Sequence, residues 1–97
     1  MKLSATTVRA LNVPAGKSEA IFFDDDVPGF GLRLREHGSR TWVFQYKLGS
    51  KQRRMTLGSA NAITVEKARK GYRNKDGNDV PGAEQLHARV KLVIRLH

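Results

Sequence analysis

The residues best suited to chemistry in this sequence are basic and amide side chains that alternate with apolar ones between residues 31 and 58. Arg and Lys bind phosphate oxygens, while Arg and Gln form paired hydrogen bonds with the edges of guanine and adenine. Almost no acidic side chain lies among them, so these residue types indicate a surface that contacts nucleic acid. The candidate residues are Arg33, Arg35, Thr41, Gln45, Lys47, Gln52, Arg54 and Thr56.

Sequence patterns typical of enzymes do not accompany these residues. The chain has no G-x-S-x-G, P-loop or H-E-x-x-H motif, and Tyr46 and Tyr72 have no cluster of Arg and His around them in the sequence. The absence of cysteine excludes disulfides and thiolate metal sites, and the three histidines lack the spacing of metal ligands. We therefore expect a chain that is not an enzyme and has no metal site, cofactor or small-molecule substrate.

The acidic triplet at residues 24–26 is the one group of carboxylates that could suggest a metal site. Three adjacent side chains between a strand and a turn do not converge on one ion. We interpret the triplet as a solvated turn.

A sheet is the element that would place the candidate residues on one surface. Apolar residues occupy the even positions of residues 32–35 and 42–47 and the odd positions 55 and 57, which is the alternation typical of half-buried antiparallel strands. The apolar face predicted in this way contains Leu32, Leu34, Trp42, Phe44, Tyr46, Met55 and Leu57. The opposite face contains the candidate residues listed above together with Val43.

Two short loops predict the register of these three strands. A three-residue loop at residues 37–39 would place Leu34 opposite Trp42 and Leu32 opposite Phe44. Residues 49–50 would form a two-residue turn with glycine first, as a type II′ turn requires. This second turn predicts four cross-strand pairs: Phe44 with Met55, Trp42 with Leu57, Gln45 with Arg54, and Lys47 with Gln52. Arg33 and Arg35 would then flank the central pair, near a phosphate wall.

The aromatic residues have two interpretations, because Trp42, Phe44 and Tyr46 could stack on bases or fill a core. Their predicted apolar partners favour the core. We expect a short helix over residues 4–11, an edge strand at residues 20–23, and a helix over residues 65–70 capped by Thr64. The apolar residues expected to pack that helix on the sheet are Val65, Ala68 and Tyr72. A terminal helix is possible over residues 84–97, with Leu86, Val90, Val93 and Ile94 on one side.

Charge is unevenly distributed along the chain. The net charge is +9, but residues 1–26 hold three basic and four acidic side chains, which leaves fifteen and five for residues 27–97. Such a balance indicates nucleic acid or another anionic partner, although solubility alone can also select for basic residues. No apolar run approaches the length of a membrane span and no signal peptide is visible, so we expect a cytoplasmic protein without a membrane partner.

Five segments, in this order and spacing, resemble the N-terminal arm-type DNA-binding domain of phage-type integrases, which are tyrosine recombinases. They are TVRAL at residues 7–11, VPGFGLRL at 27–34, GSRTWVFQY at 38–46, RRMTLG at 53–58 and VEKAR at 65–69. The resemblance implies an α+β fold in which a three-stranded antiparallel sheet, with the short edge strand, packs against a helix. It also implies that the sheet inserts into the major groove of arm-type sites during DNA integration and recombination in a prophage setting.

The resemblance covers residues 4–70, and the helix after the Ala-Arg pair is shorter than in the family. We therefore divide the chain into an arm-type domain at residues 1–75 and a divergent or partly disordered tail at residues 76–97. Double-stranded DNA is the expected partner, with other integrase domains or protomers as further candidates. Two alternatives stay open: a stand-alone double-stranded RNA-binding module, and a basic module that binds an acidic protein.

Overall fold

The computed structural model describes residues 1–96, with side chains described through residue 92. Its helices are α1 (Ala5–Arg9), α2 (Val65–Lys70) and α3 (Ala83–Leu96), and its strands are β1 (Glu19–Phe23), β2 (Phe30–Arg35), β3 (Arg40–Leu48), β4 (Lys51–Ser59), β5 (Tyr72–Arg73) and β6 (Asp79–Val80). Strands β1 to β4 form one antiparallel sheet in sequence order, and β5 pairs with β6. The predicted α+β class and the edge strand are confirmed.

The hairpin between β3 and β4 has the predicted register at its turn. Leu48 pairs with Lys51, Phe44 with Met55, and Gln45 with Arg54. Gly49 has a φ of 63°, as its position in the turn requires.

Farther from that turn a bulge changes the register. Trp42 pairs with Gly58, while Val43 pairs with Thr56, so Leu57 is an extra residue in β4. The predicted pair of Trp42 with Leu57 is therefore wrong. Beside the bulge, Gly58 has a φ of 141°, and the side chain of Ile63 occupies the space where a Cβ of Gly58 would be.

The hairpin between β2 and β3 differs from the prediction by two residues. Leu32 pairs with Trp42 and Phe30 with Phe44, so the predicted partners are wrong. The loop consists of residues 36–38 and not 37–39, since the Arg35 amide donates to the Ser39 carbonyl at 3.0 Å. Gly38, with a φ of 102°, takes the last loop position, where a left-handed residue is typical. A shift of two residues preserves the two faces of the sheet.

The aromatic residues form the core, as the favoured interpretation predicted. Trp42, Phe30 and Phe44 are at most 2% exposed, and the rings of Phe30 and Trp42 stack with centroids 5.5 Å apart. The indole N–H of Trp42 donates to the Ile63 carbonyl at 2.7 Å, which satisfies its one polar group. Met55, predicted in this core, is instead 40% exposed.

Two helices pack on the inner face of the sheet, α3 as well as the predicted α2. Contacts join α3 to both β3 and α2, and Ala83 and Leu86 are buried in the same core as Trp42. Val65 and Ala68 of α2 join that core as expected. Tyr72 does not, because Gly71 with a φ of 89° ends the helix and Tyr72 begins β5.

A terminal helix forms near the C-terminal end of the chain, as predicted. The terminal helix α3 lies at Ala83–Leu96, whereas the predicted apolar positions Val93 and Ile94 fall outside the described side chains. The division of the chain near residue 75 stays a prediction. No helix within residues 1–96 is both long and apolar enough to cross a lipid bilayer.

The acidic triplet is not a uniformly solvated turn, because Asp24 is only 6% exposed. Its Oδ1 accepts hydrogen bonds from the Leu3 amide at 2.7 Å and from Nη2 of Arg69 at 3.2 Å, and its Oδ2 accepts from the Val27 amide at 2.9 Å. Arg69 also donates to the Leu3 carbonyl at 2.6 Å. We call Leu3, Asp24 and Arg69 the clasp, because they join the N-terminus, the turn before β2 and α2.

The clasp fixes the ionisation of its carboxyl group. Burial by itself would raise the pKa of Asp24. The amides of Leu3 and Val27 and the charge of Arg69 outweigh that effect and hold the pKa below its ordinary value. Asp24 is therefore ionised at neutral pH and neutralises a buried arginine.

Candidate nucleic-acid interface

The eight candidate residues lie on the face of the sheet opposite the buried Leu32, Trp42 and Phe44, and we call this the outer face. Register pairs bring Arg33 beside Thr41, Gln45 beside Arg54, Lys47 beside Gln52, and Thr56 beside Val43. Those that are exposed are Arg35, Lys47, Gln52, Arg54 and Thr56, whereas Arg33, Thr41 and Gln45 are half-buried. The alternation therefore predicted the face correctly, even though one hairpin register was wrong.

One part of the outer face is apolar. Val43 was predicted to point outward and does so, yet it is only 1% exposed. Its register partner Gly31 has no side chain, and a Cβ there would lie 3.1 Å from Cδ1 of Phe23 and 3.3 Å from Cγ2 of Ile21. Side chains of β1 thus cover the centre of β2, and the glycine inside a strand was the sequence signal for this close approach.

Gln45 and Arg54 form a direct pair across β3 and β4. The Oε1 of Gln45 accepts hydrogen bonds from Nη2 of Arg54 at 3.0 Å and from its Nε at 3.4 Å. Both residues were predicted to lie opposite each other, and the structure joins them. The remaining donors of the guanidinium and the amide group of Gln45 are available to a ligand.

Glu19 is an acidic residue of the outer face that the sequence reasoning missed. Its carboxylate accepts hydrogen bonds from Nη2 of Arg33 at 2.8 Å and from Nε at 3.2 Å. The predicted edge strand began at Ala20, one residue too late. Had the alternation been extended back by one position, Glu19 would have fallen on the same face as Ile21 and Phe23.

Electrostatics keep this acidic residue charged. The hydrogen bond from Arg33 lowers the pKa of Glu19, and it outweighs the opposing effect of burial. The charges of Arg33, Arg35 and Arg54 lower the pKa further, and the same hydrogen bond raises the pKa of Arg33. The outer face is therefore a cationic surface with one ionised carboxylate inside it.

The other candidate groups lie elsewhere. Tyr46 is on the inner face, with its ring 5.7 Å from that of Phe44, and Tyr72 lies beneath the ammonium of Lys67 at 5.8 Å. Among the residues that the structure describes, no three His, Asp or Glu side chains are grouped so that they could hold a metal ion.

A small basic domain whose sheet presents arginine, glutamine and lysine on one face, with helices behind it, belongs to the class of nucleic-acid-binding modules. A family model described as the arm DNA-binding domain matches residues 3–80. The chain therefore belongs to this family, the arm-type DNA-binding domain of phage integrases, and its function includes binding DNA. A comparison with curated proteins gave no match. The resemblance seen in the sequence is confirmed, and the match extends it to β6.

Proposed function

We propose that this chain binds arm-type sites on double-stranded DNA by inserting its outer face into the major groove, and that it supports site-specific integration in this way. The observation that carries the proposal is the Gln45–Arg54 pair, which lies on a cationic face with further donors to either side. Arginine and glutamine are the side chains best suited to guanine and adenine in that groove.

Three of the four strands together have a width comparable to that of the groove. Neighbouring strands are about 4.8 Å apart, so the backbones of β2, β3 and β4 together span about 10 Å. The major groove of B-DNA is about 12 Å wide and admits a β-ribbon. Arg54 and Gln45 would approach the base edges, while exposed Lys47 and Arg35 would contact the phosphates.

The chain would act as the part of a recombinase that holds DNA while another domain carries out the chemistry. That domain would belong to the same polypeptide or to a partner protomer, and the setting would be the cytoplasm. The side chains on the outer face are donors that recognise and position DNA, and the eight candidate residues include no tyrosine that could act as the nucleophile in strand transfer.

The test of binding is a competition experiment. A labelled DNA duplex bound by the chain is challenged with unlabelled DNA, with double-stranded RNA of the same sequence, and with polyglutamate. We expect the DNA competitor to displace the label at a concentration at least tenfold below that of the RNA. Equal displacement by RNA would favour an RNA-binding module, and equal displacement by polyglutamate would favour an acidic protein partner. Either result would contradict the proposal.

The absence of catalysis has a separate test. We predict that the chain forms no covalent adduct with a nicked duplex, because Tyr46 is packed against Phe44 on the inner face. The measurement is denaturing gel electrophoresis after incubation with the nicked substrate. An adduct that disappears in Tyr46→Phe or Tyr72→Phe would show that the chain is a strand-transfer enzyme by itself.

A further inference from the structure

The guanidinium of Arg33 is held along one side and leaves its end open. Its Nε–H and one N–H of Nη2 donate to the carboxylate of Glu19, at 3.2 and 2.8 Å. A guanidinium has five N–H donors, so three remain, on Nη1 and Nη2 at the tip of the side chain. That tip has the fork geometry that donates to O6 and N7 of guanine.

The surrounding strands restrict where this tip can lie. Arg33 is in β2, inside the sheet, with Ile21 of β1 on one side and Thr41 of β3 on the other. Its side chain is 27% exposed and that of Glu19 is 39% exposed. Arg33 flanks the central β3–β4 pair as predicted, and because β1 lies beyond it, we take a phosphate wall to lie farther out than Arg33. A side chain fixed before binding loses less conformational freedom when it meets a base.

Arg54 shows the same arrangement at a second place on the outer face. Its Nε and Nη2 are held by Oε1 of Gln45, a residue of the neighbouring strand, so its tip is open too. Two arginines of the outer face are thus held through Nε and Nη2 by side-chain oxygens of an adjacent strand. This repetition indicates a common role in orienting the guanidinium.

Stability is a weak explanation for an acidic residue in this position. A solvent-accessible ion pair contributes about 0–1 kcal/mol, and a carboxylate on a surface that approaches phosphates opposes binding. Glu19 therefore weakens binding to DNA in general, and the small contribution of its ion pair to stability hardly offsets this loss. A role in orienting Arg33 would explain why a carboxylate lies on this surface.

We propose that Glu19 is a positioning residue that aims Arg33 at a guanine in the major groove; this rests on the proposed function. Two effects of opposite sign follow for Glu19→Ala, which removes both the charge and the acceptor oxygens; glutamine would keep an oxygen able to hold an arginine, as Gln45 holds Arg54. Removal of the negative charge strengthens binding to every duplex. Loss of the paired hydrogen bonds releases Arg33 and weakens discrimination for guanine. A residue that only screened charge would produce the first effect without the second.

The experiment begins with selection of a preferred duplex from a randomised pool by the wild-type chain. Each guanine of that duplex is then replaced singly by 7-deazaguanine, which lacks the N7 acceptor. At the guanine that Arg33 reads, we expect the replacement to reduce wild-type affinity about 5-fold, near the lower end of the value of a full paired contact, because O6 still accepts a hydrogen bond. Arg33→Ala should be insensitive to that replacement alone.

Three Glu variants separate orientation from charge, with circular dichroism as the check that each is folded. Glu19→Ala should bind a scrambled duplex more tightly than the wild type but lose most of the 7-deazaguanine effect. Glu19→Asp keeps the charge and withdraws the carboxylate by one methylene, so it should lose discrimination without gaining general affinity. Glu36→Gln removes an exposed carboxylate in the β2–β3 loop and should leave discrimination unchanged.

The outcomes distinguish the two proposals. If Glu19→Ala retains the full 7-deazaguanine effect at the position read by Arg33, Glu19 only screens charge and the inference is wrong. If no guanine replacement affects the wild type more than Arg33→Ala, Arg33 reads no guanine and the inference is also wrong. If the wild-type chain selects and binds no duplex, the proposed function fails, and the inference fails with it.

Discussion

Single residues of the outer face differ in whether a neighbouring side chain holds them in place, and this difference predicts what each does to binding. Arg54 is joined to Gln45 at 3.0 Å, whereas Arg35 is exposed at the end of β2. We expect Arg54→Ala to lower the ratio of cognate to scrambled affinity by about 5-fold or more, because a base contact is lost. Arg35→Ala should weaken all duplexes alike and reduce the salt slope by about one.

Titration of both variants against cognate and scrambled duplexes measures these effects, and Arg35→Ala is the matched control for loss of one positive charge. The opposite pattern, with Arg35→Ala selective and Arg54→Ala uniform, would contradict the proposed docking of the outer face.

The clasp predicts how stability depends on pH. Because the pKa of Asp24 is lowered in the folded state, its contribution is complete above the unfolded value of about 3.9 and is lost as pH falls through the folded value. Asp24→Asn leaves Arg69 buried without its counter-charge, so we expect about 3 kcal/mol of destabilisation at pH 7. Urea unfolding between pH 2 and pH 7 measures both quantities.

Asp26→Asn is the control for the clasp, since Asp26 is exposed and pairs with Lys2 at 3.3 Å on the surface. Its effect on the free energy of unfolding should stay within about 1 kcal/mol. Equal destabilisation by the two variants would mean that burial of Asp24 has no energetic consequence.

Among the elements, β3 and β4 were predicted best, because their register depends on a local two-residue turn that begins with Gly49. The bulge at Leu57 was not predicted, because counting from the turn assumes one residue per pair, and the Ile63 side chain that packs against Gly58 beside it comes from outside the sheet. The same limit applies to Asp24, which became buried only through contacts with Leu3 and Arg69, 21 and 45 residues away in the sequence. Alternation determines which face of the sheet a residue lies on. Contacts between residues far apart in the sequence determine the bulge and the burial of Asp24.

The position of α3 on the sheet predicts which of its leucines contribute to stability. Leu86 is 9% exposed and lies in the core, whereas Leu92 of the same helix is 60% exposed. Leu86→Ala should reduce the free energy of unfolding by about 2–4 kcal/mol because it leaves a cavity in a small core. Leu92→Ala should change it by less than about 0.5 kcal/mol. Thermal unfolding followed by circular dichroism compares the two.

A negligible effect of Leu86→Ala would show that α3 is dispensable and that the folded unit ends before it. The predicted division of the chain near residue 75 would then be supported, and the core described here would be too large.

For the whole molecule, charge governs association with DNA. Fifteen basic and five acidic side chains follow residue 26, and the outer face concentrates several of the basic ones. If roughly 5–7 phosphates are neutralised, the logarithm of the binding constant should fall with the logarithm of salt concentration at a slope of about −5 to −6. Fluorescence anisotropy across a salt series measures this slope. A flat response would contradict a phosphate-dominated interface.

Most of the outer face could be predicted from the sequence. Composition and alternation predicted the cationic face and all eight of its donors, because both depend on residue type and parity alone. Glu19 was missed because its part in the face depends on where β1 begins, and Val43 is buried because β1 side chains cover Gly31. These contacts arise only when an edge strand is added to the sheet.

The clasp also has a kinetic consequence. The four-stranded sheet is built from hairpins between neighbouring segments, whereas the bond from Arg69 to the Leu3 carbonyl closes a loop of 66 residues. Closing so long a loop costs more chain entropy than forming a hairpin, so we expect the hairpins to assemble first and the clasp to close late. Interactions that form after the transition state govern the rate of unfolding more than the rate of folding. We therefore expect the clasp to slow unfolding. Weakening it would shorten the lifetime of the native state, while the rate of folding would stay almost the same.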